Sequence, residues 1–141
     1  MRMRWTGTAG ALLVAVMAGG ADAATPAAIQ QGYADFARAQ APRFAGFSAQ
    51  RGARFFAATH GGDWSCTSCH TNDPTRAGRH AKTAKSIAPL APVANGERFT
   101  DAARVEKWFR RNCHDVLGRA CTAQEKGDVM EYLLSLEQGG A

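Results

Sequence analysis

The sequence predicts an all-α domain. Three observations carry this. Apolar residues recur at helical spacing, capping residues precede each such run, and no stretch alternates apolar and polar residues as a half-buried strand does. Thr25-Pro26 sets a capping hydroxyl before a proline at the first helical position, opening a helix to about Gln40. Ser48 caps a second helix with Phe55 and Phe56 on its apolar side, ended by the polar His60-Gly61-Gly62-Asp63. Thr100 caps a third, in which Val105, Trp108 and Phe109 fall at i, i+3 and i+4. Thr122-Ala123-Gln124-Glu125 is a capping box opening a fourth, with Val129, Tyr132, Leu133 and Leu136 on one face. Residues 71–99, between the second and third helices, are punctuated by Pro and Gly. A loop that long in a compact domain wraps something functional more often than not. The expected architecture is therefore about four short helices around a bound object.

The one strongly apolar run lies at the N-terminus. Arg2 and Arg4 precede the short stretch Ala11–Met17, and Ala21-Asp22-Ala23 has the small-x-small form of a cleavage site. Residues 1–23 read as a secretory signal peptide, because the stretch falls well short of the ~20 residues of a spanning helix. Residues 24–141 then form a single domain without a membrane span, exported to the periplasm. Apolar residues at 45% and charged residues at 21% exclude chain-wide disorder. The leader carries Arg2, Arg4 and Asp22, so its removal leaves 15 basic and 11 acidic residues, a net +4. Export argues against nucleic acid as the target of that charge, which suits docking to an acidic protein.

Cys66-Thr67-Ser68-Cys69-His70 has the C-x-x-C-H spacing of haem attachment. Two cysteines three positions apart on a helical turn can each form a thioether with one porphyrin, and the next residue brings an imidazole beneath the iron. One covalent haem c is the implied cofactor, with His70 as proximal ligand. The other His70 nitrogen needs a backbone carbonyl, expected within Ile87-Ala88-Pro89. A zinc site of Cys66, Cys69, Cys113 and Cys121 competes, although its second pair is too widely spaced for a zinc knuckle. A thioredoxin-like pair would need a βαβ context that is missing. Haem leaves Cys113 and Cys121, which in an oxidising compartment pair as a disulfide.

The residues alone leave the sixth iron ligand open. Met130 is a chemically ordinary choice, but its place beside Val129, Tyr132 and Leu133 suits a core side chain. His114 is a good ligand in both redox states, or else a surface histidine beside Asp115. Asn112 can equally be a helix C-cap in the left-handed conformation. His60 and His80 stand in polar surroundings.

The chain resembles a known family in several motifs together. These are Cys66-Thr67-Ser68-Cys69-His70, Thr75-Arg76-Ala77-Gly78, Ile87-Ala88-Pro89-Leu90-Ala91-Pro92, Arg98-Phe99-Thr100-Asp101-Ala102, Arg104-Val105-Glu106-Lys107-Trp108, and Arg111-Asn112-Cys113 followed by Gly118-Arg119 and Cys121-Thr122. They look like the sphaeroides haem protein (SHP) group, monohaem oxygen-binding c-type cytochromes related to cytochrome c″. The likeness spans about residues 48–137. It implies a small c-type cytochrome fold around one covalent haem. It also implies that the residue before the first disulfide cysteine, here Asn112, is the sixth ligand, beside a Cys113–Cys121 bridge. The family pattern has no histidine after that cysteine, so His114 is a departure.

With Asn112 as ligand, the chemistry predicts a protein that accepts electrons and, when reduced, releases the weak Asn112 amide to bind a diatomic such as O2, NO or CO. The resemblance further implies redox partners of the dihaem cytochrome c and membrane b-type cytochrome kinds. Two alternatives stand beside this reading. One is a plain one-electron carrier with Met130 or His114 permanently bound. The other is a haem enzyme acting on oxygen, peroxide or NO, with His114 and Asp115 as an acid–base pair; the sequence favours the non-enzymatic reading. Arg79, Lys82 and Lys85 are candidates to neutralise haem carboxylates. Gly52 and Phe56 are expected to pack on Val129 and Tyr132, and Trp108 to lie in the core or at the haem edge.

Overall fold

Three of the expected caps are made as read. In the computed structural model, which describes residues 24–136, α1 (Pro26–Gln40) follows Thr25, whose hydroxyl accepts from the Ala28 amide. Helix α2 (Ala49–Ala57) follows Ser48, whose hydroxyl accepts from the Arg51 amide. Helix α5 (Ala123–Ser135) opens on a complete capping box of Thr122 and Glu125. The leader expected at 1–23 lies outside the described residues, as do residues 137–141.

Two boundaries differ from expectation. Helix α4 (Ala102–Leu117) is capped by Asp101, whose carboxylate accepts from the Arg104 amide. The Thr100 hydroxyl instead donates to the Glu97 carbonyl. Helix α2 stops at Ala57, before the polar run, because Ala58 is extended and His60 and Gly61 turn through positive φ. A further one-turn helix, α3 (Thr67–His70), carries the C-x-x-C-H residues.

The stretch between α3 and α4 is not structureless. It holds a two-residue antiparallel pair, β1 (Gly78–Arg79) and β2 (Ser86–Ile87), and a single 3-10 turn at Pro92–Ala94. Pro74 is fully buried, and its carbonyl accepts the amides of Leu90 and Ala91.

Helices α2 and α5 lie closely along one another and α1 packs on α5, whereas the α4 backbone makes few close approaches to them. The close approach of α2 to α5 depends on glycine: a Cβ on Gly52 would strike the Asp128 carbonyl and Tyr132 Cβ. Phe56, one turn on, meets Tyr132 with ring centroids 5.6 Å apart. Asp128, itself buried, ties the pair together. It accepts from the Ser48 amide at 2.7 Å and from Arg51 Nε at 2.8 Å. The core is Ile29, Tyr33, Phe56, Phe99, Val105, Val129, Met130 and Leu133. Among the described residues no helix is long and apolar enough to cross a membrane.

Candidate functional site

The space between α4 and the α2–α5 pair is a cavity of about 490 Å³. That is an ordinary size for a cofactor site. Its wall is aromatic and aliphatic, with Phe55, Phe56, Trp64, Phe99, Trp108 and Phe109 among its residues. The loop after α3 closes it from the side, through residues from His80 to Phe99. So the long segment does wrap something, and the something is this cavity.

Cys66, Cys69 and His70 all line the cavity from α3. The turn they sit on is nucleated locally. Ser65 is buried, its amide donates to Ser68 Oγ, and its hydroxyl bonds Thr67 Oγ1. Thr71, with φ of 63°, ends the helix directly after His70. Burial pushes the Cys66 thiol up to about 11, and burial with the Arg98 charge lowers His70 to about 4. His70 is therefore a neutral imidazole at pH 7, the form a metal ligand needs. The Cys69 sulfur accepts from the Ala81 amide at 3.3 Å. Gly78 backs the motif so tightly that a Cβ there would strike the Cys69 carbonyl.

Two of the three carbonyls expected as partners for His70 already accept from other donors. Pro89 O accepts from Arg98 Nε at 2.8 Å and Asn95 Nδ2 at 3.2 Å, and Ala88 O accepts from Arg98 Nη2 at 2.8 Å.

Cys113 and Cys121 form a disulfide that joins α4 to the segment before α5 and lines the cavity. A four-cysteine zinc site is thereby ruled out, and no cluster of three or more metal-binding side chains occurs among the described residues. Asn112 sits inside α4 and lines the cavity beside Cys113. Its reading as a helix C-cap falls: the helix runs on to Leu117, and Gly118, at φ 69°, takes the left-handed cap. His114 is exposed and lines an adjoining surface hollow with Arg110 and Asp115, and is not on the wall of the cavity itself. Met130 is fully buried in the core and off the cavity wall.

Sequence reasoning missed Arg98. It lines the cavity, is half-buried, and is held by the two carbonyls just named. Of the three cations expected near the cofactor, Lys82 and Lys85 are on the wall but exposed. Arg79 is off it, donating to the Ala84 carbonyl at 3.0 Å. Trp108 stands at the rim, 44% exposed, with the Arg111 guanidinium 5.1 Å from its ring centre.

A pair of cysteines and a neutral histidine on one helical turn, aimed into an apolar cavity, defines the class of c-type cytochromes. The donors fit the group: two thiols, one imidazole, and a space walled by rings. Comparison with known proteins agrees. Residues 42–133 match the family described as a domain of unknown function (DUF1924). The chain is 48% identical over 128 residues to the cytochrome c-type protein SHP of Cereibacter sphaeroides, covering 86% of this chain and 94% of that one. A solved structure of oxidized SHP, described as an oxygen binding cytochrome c, superposes with a TM-score of 0.70 at 46% identity, covering 80% of this chain and 98% of that one. The solution structure of Methylophilus methylotrophus cytochrome c″, concerned with haem-ligand detachment, superposes at 0.68 with 37% identity, covering 78% and 92%. The chain belongs to the SHP family of monohaem c-type cytochromes.

Proposed function

We propose that this is an exported cytochrome c with one haem c, which accepts single electrons and takes up a diatomic ligand when reduced. Haem c, when bound, would supply a one-electron Fe(III)/Fe(II) couple and, when reduced, a metal able to take O2, NO or CO. Cys66 and Cys69 would hold it covalently and His70 would be a ligand to its iron. The reading is carried by one observation: Asn112, but neither His114 nor Met130, shares the cavity of Cys66, Cys69 and His70.

Asn112 then acts as a switchable distal group. Its amide oxygen is a neutral, weak donor, adequate for Fe(III) and poorer for Fe(II). Reduction would therefore weaken its hold on the iron. Because its backbone is helical and its neighbour Cys113 is bridged to Cys121, the amide stays close and can donate a hydrogen bond to the incoming diatomic. The cationic rim of Lys82, Lys85, Arg104 and Arg111 suits an acidic electron donor, such as a dihaem cytochrome c or the exposed part of a membrane b-type cytochrome. Residues 1–23 direct export to the periplasm and are removed, leaving 24–141 as one domain.

The test is an optical spectrum of the purified haem protein, reduced with and without CO. The expected result is a low-spin ferric form whose reduced form binds CO. A reduced form that stays six-coordinate and ignores CO overturns Asn112 release, while leaving haem attachment intact.

A further inference from the structure

Arg98 carries a half-buried guanidinium into the cavity wall. Among the described residues no carboxylate lies within salt-bridge distance of it, although Glu97 and Asp101 line the same cavity. Its orientation is fixed all the same. Nε donates to Pro89 O at 2.8 Å and Nη2 to Ala88 O at 2.8 Å. The Asn95 carbonyl takes the Arg98 amide at 3.0 Å, and the same Asn95 donates through Nδ2 to Pro89 O. Directly after it, Phe99 is buried in the core with φ of 58°, a left-handed conformation that is strained for a residue with a side chain. A strained, packed residue on one side and two carbonyl anchors on the other fix the guanidinium in place. Of its five N–H donors, three remain free.

We propose that Arg98 binds a haem carboxylate, and so sets the charge felt at the iron. The inference rests on the haem reading above. Haem is the one group that brings two carboxylates into this cavity, and an arginine fork with free N–H groups pairs with a carboxylate in two-point fashion. The other cations on the wall, Lys82, Lys85, Arg104 and Arg111, are exposed, so water screens them and their pairing with an anion is weak. Arg98 also carries its charge beside His70. A fixed cation there favours the reduced, less positive iron, and the carboxylate it holds stays ionised through the neutral pH range.

The test is the midpoint potential of haem-loaded wild type, R98K and R98Q as a function of pH. Wild type should show only the shallow slope of its second carboxylate from pH 6 to 8. R98Q should show a potential at pH 8 lowered by at least a tenfold shift in the reduced-to-oxidised ratio, which is 59 mV for one electron. It should also slope more steeply than wild type, falling as pH rises, because both carboxylates then ionise without a fixed partner. R98K, which keeps the charge without the fork, should lie between. An R98Q protein with lower thermal stability but the wild-type potential and slope overturns the proposal and leaves Arg98 as a prop for the 88–89 turn. If R98Q does not mature, R98K decides: a potential and slope equal to those of wild type overturn the proposal. Covalent haem by mass and CO binding by spectrum are read on the same samples, so a failure of the haem or Asn112 readings is visible separately.

Discussion

Asn112 and His114 are two residues apart on one helix, yet they face different spaces. Helical geometry turns a side chain through about 200° over two positions, so whichever of them faces the cavity excludes the other. The sequence carried this answer in Gly118, a left-handed helix stop that extends α4 past both residues. Reading Asn112 as a possible C-cap hid it. Asn112→Ala should therefore convert the ferric spectrum from low to high spin, with water rather than His114 filling the position. His114→Ala should leave the spectrum unchanged. Removing the distal hydrogen bond, worth about 1 kcal/mol, should speed O2 dissociation about fivefold. A low-spin ferric Asn112→Ala protein that turns high-spin only when His114 is also removed would show that the helix can rotate His114 inward. Met130→Ala belongs to a different ledger. It empties a fully buried core position and should cost about 2–5 kcal/mol in chemical denaturation, with no change in axial ligation.

The helices were legible because their ends are written in local chemistry. Thr25, Ser48 and Thr122 each satisfy an amide three residues on, an interaction that needs no knowledge of the rest of the fold. Asp101 displaced Thr100 as a cap because the turn from Asn95 to Arg98 draws the Thr100 hydroxyl to Glu97, and sequence gave no view of that turn. The α5 start makes a pH prediction. The Arg119 hydrogen bond, helped by the Thr122 amide, holds the Glu125 carboxyl below its usual range. A carboxylate with a depressed folded value contributes stability above its unfolded value, and loses it as pH falls through the folded one. Glu125→Gln should thus cost about 0.5–1 kcal/mol at pH 7, after allowance for partial exposure. The difference from wild type should close as the pH is lowered through the acid range. A constant difference down to pH 3 in thermal melts counts against the ion pair as its source. Where two helices cross, the constraint is steric instead. Gly52→Ala drives a methyl into the Asp128 backbone, and the strain should lower stability by about 1–3 kcal/mol, read as a lower denaturant midpoint.

What the sequence could not show was the spacing of whole elements around an absent volume. It placed Cys66, Cys69 and His70 on one turn, but Arg98 and the placement of α4 exist only once distant segments are brought together. Helix α4 reaches the rest of the molecule through few direct contacts. Val105 enters the core, Phe109 meets Tyr33 edge-on at 6.0 Å, and Glu106 accepts from Tyr33 at 3.0 Å and Lys126 at 2.6 Å. The disulfide adds a covalent tie. The remainder of its inner face looks into about 490 Å³. Without a cofactor that face, Phe56, Phe99 and Phe109 among its neighbours, would be left to water, which its apolar residues disfavour. The cofactor is therefore expected to supply much of what holds α4 in place. A Cys66→Ala/Cys69→Ala variant should consequently lose α4 selectively. Its amides from Val105 to Leu117 should exchange with solvent at rates near those of an unfolded chain, while α5, packed directly on α1 and α2, keeps protection. Adding Cys121→Ser removes the tether and, at about 2–3 kcal/mol for so short a loop, should extend the loss toward the start of α5. Equal protection of α4 and α5 in the doubly substituted protein would mean that the cavity closes by collapse, with α4 settling directly onto Phe56 and Leu133.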